Sequence, residues 1–244
     1  MKTFYLLILA LGFTAAGKAQ TQFITSGKIE FEKKVNMYKR IGDNSWLDQI
    51  KDRLPQFSTT YYDLRFNEHA STYKSGKETE DPWKNFWGSG DDDEDVIVNN
   101  YDSARTITSK HVFEKLFRVD DSLLNIEWKI TNDTRTIAGF ECRKAVGRFY
   151  DSLYVVAFYT EEIVTPGGPG NYCGLPGMIL GLAFPRFFTT IFATKLELTS
   201  PKPAEFNVPV KGKKATRTEM FAQVKESTKT WGDEWQKYFW QAVL

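Results

Sequence analysis

From residue 27 onward the chain alternates apolar and charged positions. Ile29, Phe31 and, after a slip of register, Val35 stand between charged neighbours and predict a half-buried strand over 27–35. The same period of two recurs over 58–67 and 70–74, a predicted hairpin turning at Asn67-Glu68-His69. Further strands are predicted at 96–101, 105–108, 112–119 and 123–131, where Ile126, Trp128 and Ile130 alternate most regularly with Glu127 and Lys129. Residues 139–149 and 153–160 read as a hairpin joined at Tyr150-Asp151-Ser152. The run 178–184 is apolar on both faces and reads as a buried strand, and 187–198 follows it.

Helical signals are few. Ser45 caps a short predicted helix through Trp46, Leu47, Ile50 and Leu54, ended by Pro55. Thr216 and Glu219 form a capping box ahead of Met220, Phe221 and Val224, and Trp235, Tyr238, Phe239 and Ala242 make a second apolar stripe. These helices are expected to cover one face of the sheet. The fold class that follows is mainly β (α+β): a curved antiparallel sheet or partial barrel with C-terminal helices packed on it. Residues 20–244 are expected to form one domain, with the helices in 215–244.

The N-terminus adds an address. Met1-Lys2-Thr3, the apolar run 4–16 and Gly17-Lys18-Ala19 form the three-part pattern of a secretory signal peptide over residues 1–19. The run is too short to span a bilayer. No cysteine follows the cleavage site to take a lipid, so the expected product is periplasmic or secreted, with no transmembrane segment in the mature chain. Removing Lys2 and Lys18 takes the 32 basic residues to 30 against 31 acidic ones, a net charge of −1. That near-neutral balance argues against a nucleic-acid partner. In an oxidising compartment the two cysteines, Cys142 and Cys173, predict a disulfide, the alternative being two separately buried thiols.

Residues Gly174-Leu175-Pro176-Gly177-Met178-Ile179-Leu180 follow a proline- and glycine-rich stretch from 165. Together with Ile126-x-Trp128, the segment from Ile137 to Ala145 that contains Cys142, the Ala157-Phe158-Tyr159-Thr160 strand end and Gly168-Pro169, they make the chain resemble the GLPGLI family over roughly 120–200. The family is named for that hexapeptide, with Met178 standing in place of its usual leucine. The resemblance implies an exported Gram-negative envelope protein of unassigned activity and carries no catalytic residues with it. The residues themselves predict a tight turn: Gly174 and Gly177 tolerate positive φ, Pro176 fixes its own, and Leu175 is an apolar plug. A loop of this kind is also able to hold a ligand carboxylate or peptide through its amides.

Other chemistry is sparse. His69 and His111 are the only histidines, no zinc-type spacing occurs, and the acid run 91–95 lacks the pattern of an EF-hand loop, so neither metal nor cofactor is expected. No serine or cysteine stands in a recognisable nucleophile motif. Glu161 and Glu162 are the acids nearest the motif. Trp83, Phe86 and Trp87 lie in a breaker-rich loop and read either as a lid on the core or as a contact surface for an apolar, glycan or peptide ligand. Asp102-Ser103, Asp121-Ser122 and Asp151-Ser152 are good turns and resemble envelope O-glycosylation acceptors. The leading expectation is a non-catalytic binding or accessory module for an apolar or peptide-like ligand or an outer-membrane protein partner. Its ligand-binding candidates are Trp83, Phe86, Trp87, Gly174, Leu175, Pro176 and Gly177. A carboxylate-based periplasmic hydrolase and a purely structural subunit of an outer-membrane complex are the alternatives.

Overall fold

The computed structural model describes residues 23–42, 45–83, 95–112, 115–149 and 153–230. The signal-like segment, Phe86, Trp87, most of the acid run and the second C-terminal stripe therefore lie outside the described residues. Within them, twelve strands form one sheet in the order β12-β6-β5-β4-β3-β2-β1-β11-β10-β9-β8-β7. In chain order these are β1 (Gly27–Asn36), β2 (Phe57–Phe66), β3 (Ala70–Ser75), β4 (Val96–Asn100), β5 (Arg105–Val112) and β6 (Lys115–Ser122). The remainder are β7 (Glu127–Ile137), β8 (Phe140–Phe149), β9 (Leu153–Thr160), β10 (Met178–Phe184), β11 (Thr189–Glu197) and β12 (Lys213–Ala215).

Consecutive strands pair as antiparallel neighbours except at two connections. From β6 the chain passes to β7 at the opposite end of the sheet, and β1, paired antiparallel with both β2 and β11, lies in the middle. After β11 the chain crosses the outer face, where Thr72 donates to the Glu205 carbonyl at 2.8 Å and Arg65 pairs with the Glu205 carboxylate. It then joins β6 in parallel as β12. The sheet is thus open, ending at β7 and β12, and antiparallel as expected in every pairing but the parallel one of β12 with β6, which makes it mixed. Its β7 end is nonetheless strongly curved. The Arg135 guanidinium of β7 lies 4.6 Å from the ring centre of Phe192 in β11, four places away in the strand order.

Burial follows the alternation. Ile29 and Phe31 pack with Tyr62, Leu64, Phe66, Met178 and Leu180 in one cluster, and Ala145, Val155, Ala157, Tyr159, Leu175, Ile179 and Leu182 form a second. β10 serves both, because a bulge between Ile179 and Gly181 leaves Leu180 as an extra residue against β9. The opposite surface of β1 is polar, with Glu30 and Glu32 tied to Lys77, Thr194, Tyr61 and Lys34.

Among the described residues three α-helices accompany the sheet. α1 (Met37–Ile41) is capped by Asn36, whose side chain accepts from the Lys39 amide. α2 (Ser45–Ile50) is shorter than predicted and continues as turns. α3 (Arg217–Thr228) begins at the predicted capping box, where the Glu219 amide donates to Thr216 and the Thr216 amide donates to Glu219. Its Met220 and Val224 pack on Phe117, Val119 and Ala215, closing the β12 end. Among the described residues no helix is long and apolar enough to cross a membrane.

The expected disulfide is absent. Cys142 and Cys173 are both free and buried. Cys142 sits in the first cluster beside Met178 and Leu180 and donates to the Phe140 carbonyl, whereas Cys173 donates to the carbonyl of Leu124 in the second. Register decides this: the strand that carries Cys142 turns it away from the loop that carries Cys173. Burial pushes both thiols up to about 11.

Candidate functional site

Residues 165–177 run from the end of β9 to β10 as a loop anchored from beneath. Leu175 is 3% exposed and packs into the second cluster, which explains why an apolar side chain stands in a turn. Beside it the Gly177 amide donates to the Leu175 carbonyl at 2.7 Å, closing a three-residue turn over Pro176. Gly177 has φ +132°, and a Cβ there would lie 2.1 Å from the Thr160 carbonyl oxygen, so only glycine allows the loop to press against the end of β9. Ile179 donates back to the Gly167 carbonyl at 2.8 Å, tying the two ends of the loop together.

The floor of the loop is polar. Ser71, Asn99 and Thr106 lie in register across β3, β4 and β5, and all three are buried. Asn99 donates to the Gly170 carbonyl at 3.0 Å and to Ser71 at 3.3 Å, and the Ser71 and Tyr101 hydroxyls are 2.7 Å apart. Burial raises the Tyr101 phenol well above its ordinary value. In this floor the Asn99 amide ties down the Gly170 backbone and the Cys173 thiol donates to the Leu124 carbonyl, while Asn99 Oδ1 and the Thr106 hydroxyl are buried without a hydrogen-bond partner among the described residues. Thr165 adds a further tie, donating to the Asn67 carbonyl.

The loop's outer side is a rim. Gly174 and Pro176 are exposed. Gly174 borders the indole of Trp128, whose Nε1 donates to the Cys173 carbonyl at 2.9 Å. Trp128 belongs to β7, the last strand of the sheet, and two residues along it Ile130 is 38% exposed. Motif and edge strand therefore meet where Gly174 borders Trp128, with Pro176 exposed on the loop and Ile130 exposed on the strand. Trp128 and Ile130 lie outside the residues that sequence reasoning marked as ligand-binding, although their alternation was its clearest strand signal.

Other candidates fall elsewhere. Trp83 is 2% exposed, packs on Leu54 and donates to the Pro55 carbonyl at 2.7 Å, while buried Asp81 accepts from its amide. That places Trp83 as a lid over α1 and α2, away from the motif. Glu161 is exposed and faces Arg143 at 3.5 Å, and Glu162 is exposed beside it. His69 lies against Asp102 on the surface, and His111 stands on β5. Among the described residues no group of acids, histidines and cysteines is arranged to hold a metal ion. Ser103 sits in a turn closed by Asn100, Ser122 ends β6 with its amide donating to Asp121, and residues 151–152 lie outside the description.

Residues 148–181 match the profile of a family described as a protein of unknown function, Porph_ging. The match spans β9, the whole loop and the start of β10, the segment in which the buried plug and the close glycine contact occur. No curated protein matches the chain. Two solved structures of PNGF-II are similar in architecture. One has a TM-score of 0.53 at 13% identity, covering 89% of this chain and 33% of that one, and the other has 0.50 at 16%, covering 78% and 32%. The chain thus spans about a third of the length of each, and at these identities the likeness is one of fold alone.

Proposed function

We propose that this chain is an exported, non-catalytic binding module whose ligand-facing surface is the rim of Gly174, Pro176, Trp128 and Ile130. Its ligand is a peptide-like or apolar segment, most simply part of an envelope protein partner. The observation that carries the reading is the rigidity of that rim. A loop pinned by Leu175, Gly177, Asn99 and the Trp128 indole presents exposed glycine and proline beside a half-buried tryptophan. Such a surface loses little conformational freedom when it is covered, which favours binding. Export rests on the sequence of residues 1–19, and the family profile and fold likeness support a β-sheet module without adding a ligand.

The test is panning of a random dodecapeptide library on the purified mature chain, followed by titration of the enriched peptides with tryptophan fluorescence as readout. Saturable binding is expected, weakened at least tenfold in a Pro176→Ala, Ile130→Ala double variant. Enriched peptides indifferent to both changes, or no enrichment at all, would remove the rim as the site.

A further inference from the structure

Resting on that reading, we infer that the ligand is an extended, acidic polypeptide segment that adds to the sheet as a strand beside the first residues of β7. The argument starts from the turn between β7 and β8. Ala138 and Gly139, at φ +49° and +90°, form a two-residue turn that makes Ile137 and Phe140 the closing hydrogen-bonded pair. β8 pairs without irregularity against β9, so its backbone groups alternate strictly between its two neighbours. Counting from Phe140 in steps of two, Cys142, Lys144, Val146 and Arg148 face β7, while Ala145 and Gly147 face β9. The partners of Ala145 and Gly147 are Ile130 and Trp128. Their N–H and C=O groups therefore point away from the sheet, at its open end.

The length of this edge is limited. Pairing with β8 is irregular between Ile130 and Thr134, and beyond that point β7 curls toward β11, where Arg135 stacks on Phe192. Bulges of this kind are how exposed edges are kept from pairing indiscriminately. Residues 127–130 remain as a short, regular stretch with two outward-facing residues, both apolar, of which Trp128 lies against the motif loop. Alternating backbone donors and acceptors are complementary to an extended polypeptide.

Charge gives its character. Residues 127–149 hold five basic side chains against three acidic ones. Asp133 is taken by Lys144 and Arg143 faces Glu161, while among the described residues Lys129, Arg135 and Arg148 on the basic side, and Glu127 and Glu141 on the acidic side, make no ion pair, leaving the hairpin with a net positive charge. An acidic segment is drawn to such a hairpin and a basic one is repelled.

Two substitutions test edge pairing, and N-methylated peptides and amide exchange separate it from loss of the Ile130 side chain. Ile130→Pro deletes an outward N–H and leaves the ladder to β8 intact, whereas Lys129→Pro deletes an inward one. With acid-rich dodecapeptides enriched on the wild type, Ile130→Pro is expected to lose at least tenfold in affinity with little change in thermal midpoint. Lys129→Pro should lower the midpoint. Amide exchange at Trp128 and Ile130 should slow when peptide is bound, and N-methyl groups on alternate residues of the peptide should abolish binding even if Ile130→Pro does not fold. Peptides that bind at the rim yet survive N-methylation and leave those two amides exchanging freely would overturn strand addition while leaving the binding module standing. Enrichment of basic sequences, or a dimer of the free protein that Ile130→Pro dissolves, would also overturn it.

Discussion

At Gly177 the absence of a side chain decides how the motif loop meets the sheet. With the Thr160 carbonyl 2.1 Å from where a Cβ would stand, Gly177→Val forces the loop off β9, a cost expected to exceed the roughly 1–3 kcal/mol of backbone strain alone. Leu175→Ala empties a buried site and is expected to cost about 2–5 kcal/mol. Pro176→Ala, at an exposed position, should change little. Thermal unfolding of the three variants checks the order, and an unshifted Gly177→Val would contradict the contact. The thiols give a second measurement. Both should resist alkylation in the native protein at neutral pH without reductant and react together once it is denatured. The plug at Leu175 was legible in the sequence because an apolar residue between glycines has no other use in a turn. The state of the cysteines was not, because it depends on which cluster each strand position faces.

Strand identity was legible where alternation was unbroken, as in β2 and β9, and was lost where it was not. β5 ends at Val112 and β6 begins at Lys115 with no glycine, proline or asparagine between them in the sequence, so 112–119 read as a single strand. β7 was placed too early because polar Thr131 to Thr134 interrupts its period at the irregular pairing. The candidate site suffered most from this: the Trp128 indole reaches Cys173, 45 positions along the chain, a contact that only strand order creates. At the other end, Asp121 closes the start of α3 by accepting from the Arg217 amide at 2.9 Å. Asp121→Asn should weaken that helix's attachment to β6 and β12, read as faster amide exchange in residues 217–228 with the rest of the sheet unaffected.

For the molecule as a whole, charge sets a window of stability. Burial works to raise Glu30, Glu32 and Asp121, but hydrogen bonds from Lys77 and Thr194, from Lys34 and Tyr61, and from the Arg217 and Ser122 amides outweigh it, with nearby positive charge, so all three carboxyls are lowered. Unfolding then takes up protons in acid: their contribution is complete above the ordinary values of 4.5 and 3.8 and is lost as pH falls through and below them. The thiols act in reverse. Raised from 9.0 to about 11, they favour the fold fully below 9.0 and lose that effect as pH climbs toward 11. Thermal midpoints measured from pH 3 to 11 should therefore form a plateau between about 5 and 9 and fall on both sides, and a Cys142→Ser, Cys173→Ser pair should flatten the alkaline limb.

The central position of β1 has a temporal consequence as well. One flank of that strand is matched by β2, which begins only 21 residues after β1 ends, but the other waits for β11, whose first residue is Thr189. A chain emerging from its N-terminus at about 5–20 residues per second leaves Ile29 and Phe31 half-covered for roughly 10–30 s. During that interval the nascent protein carries an open strand flank far more apolar than any it shows when finished, and a holding chaperone would find its grip there.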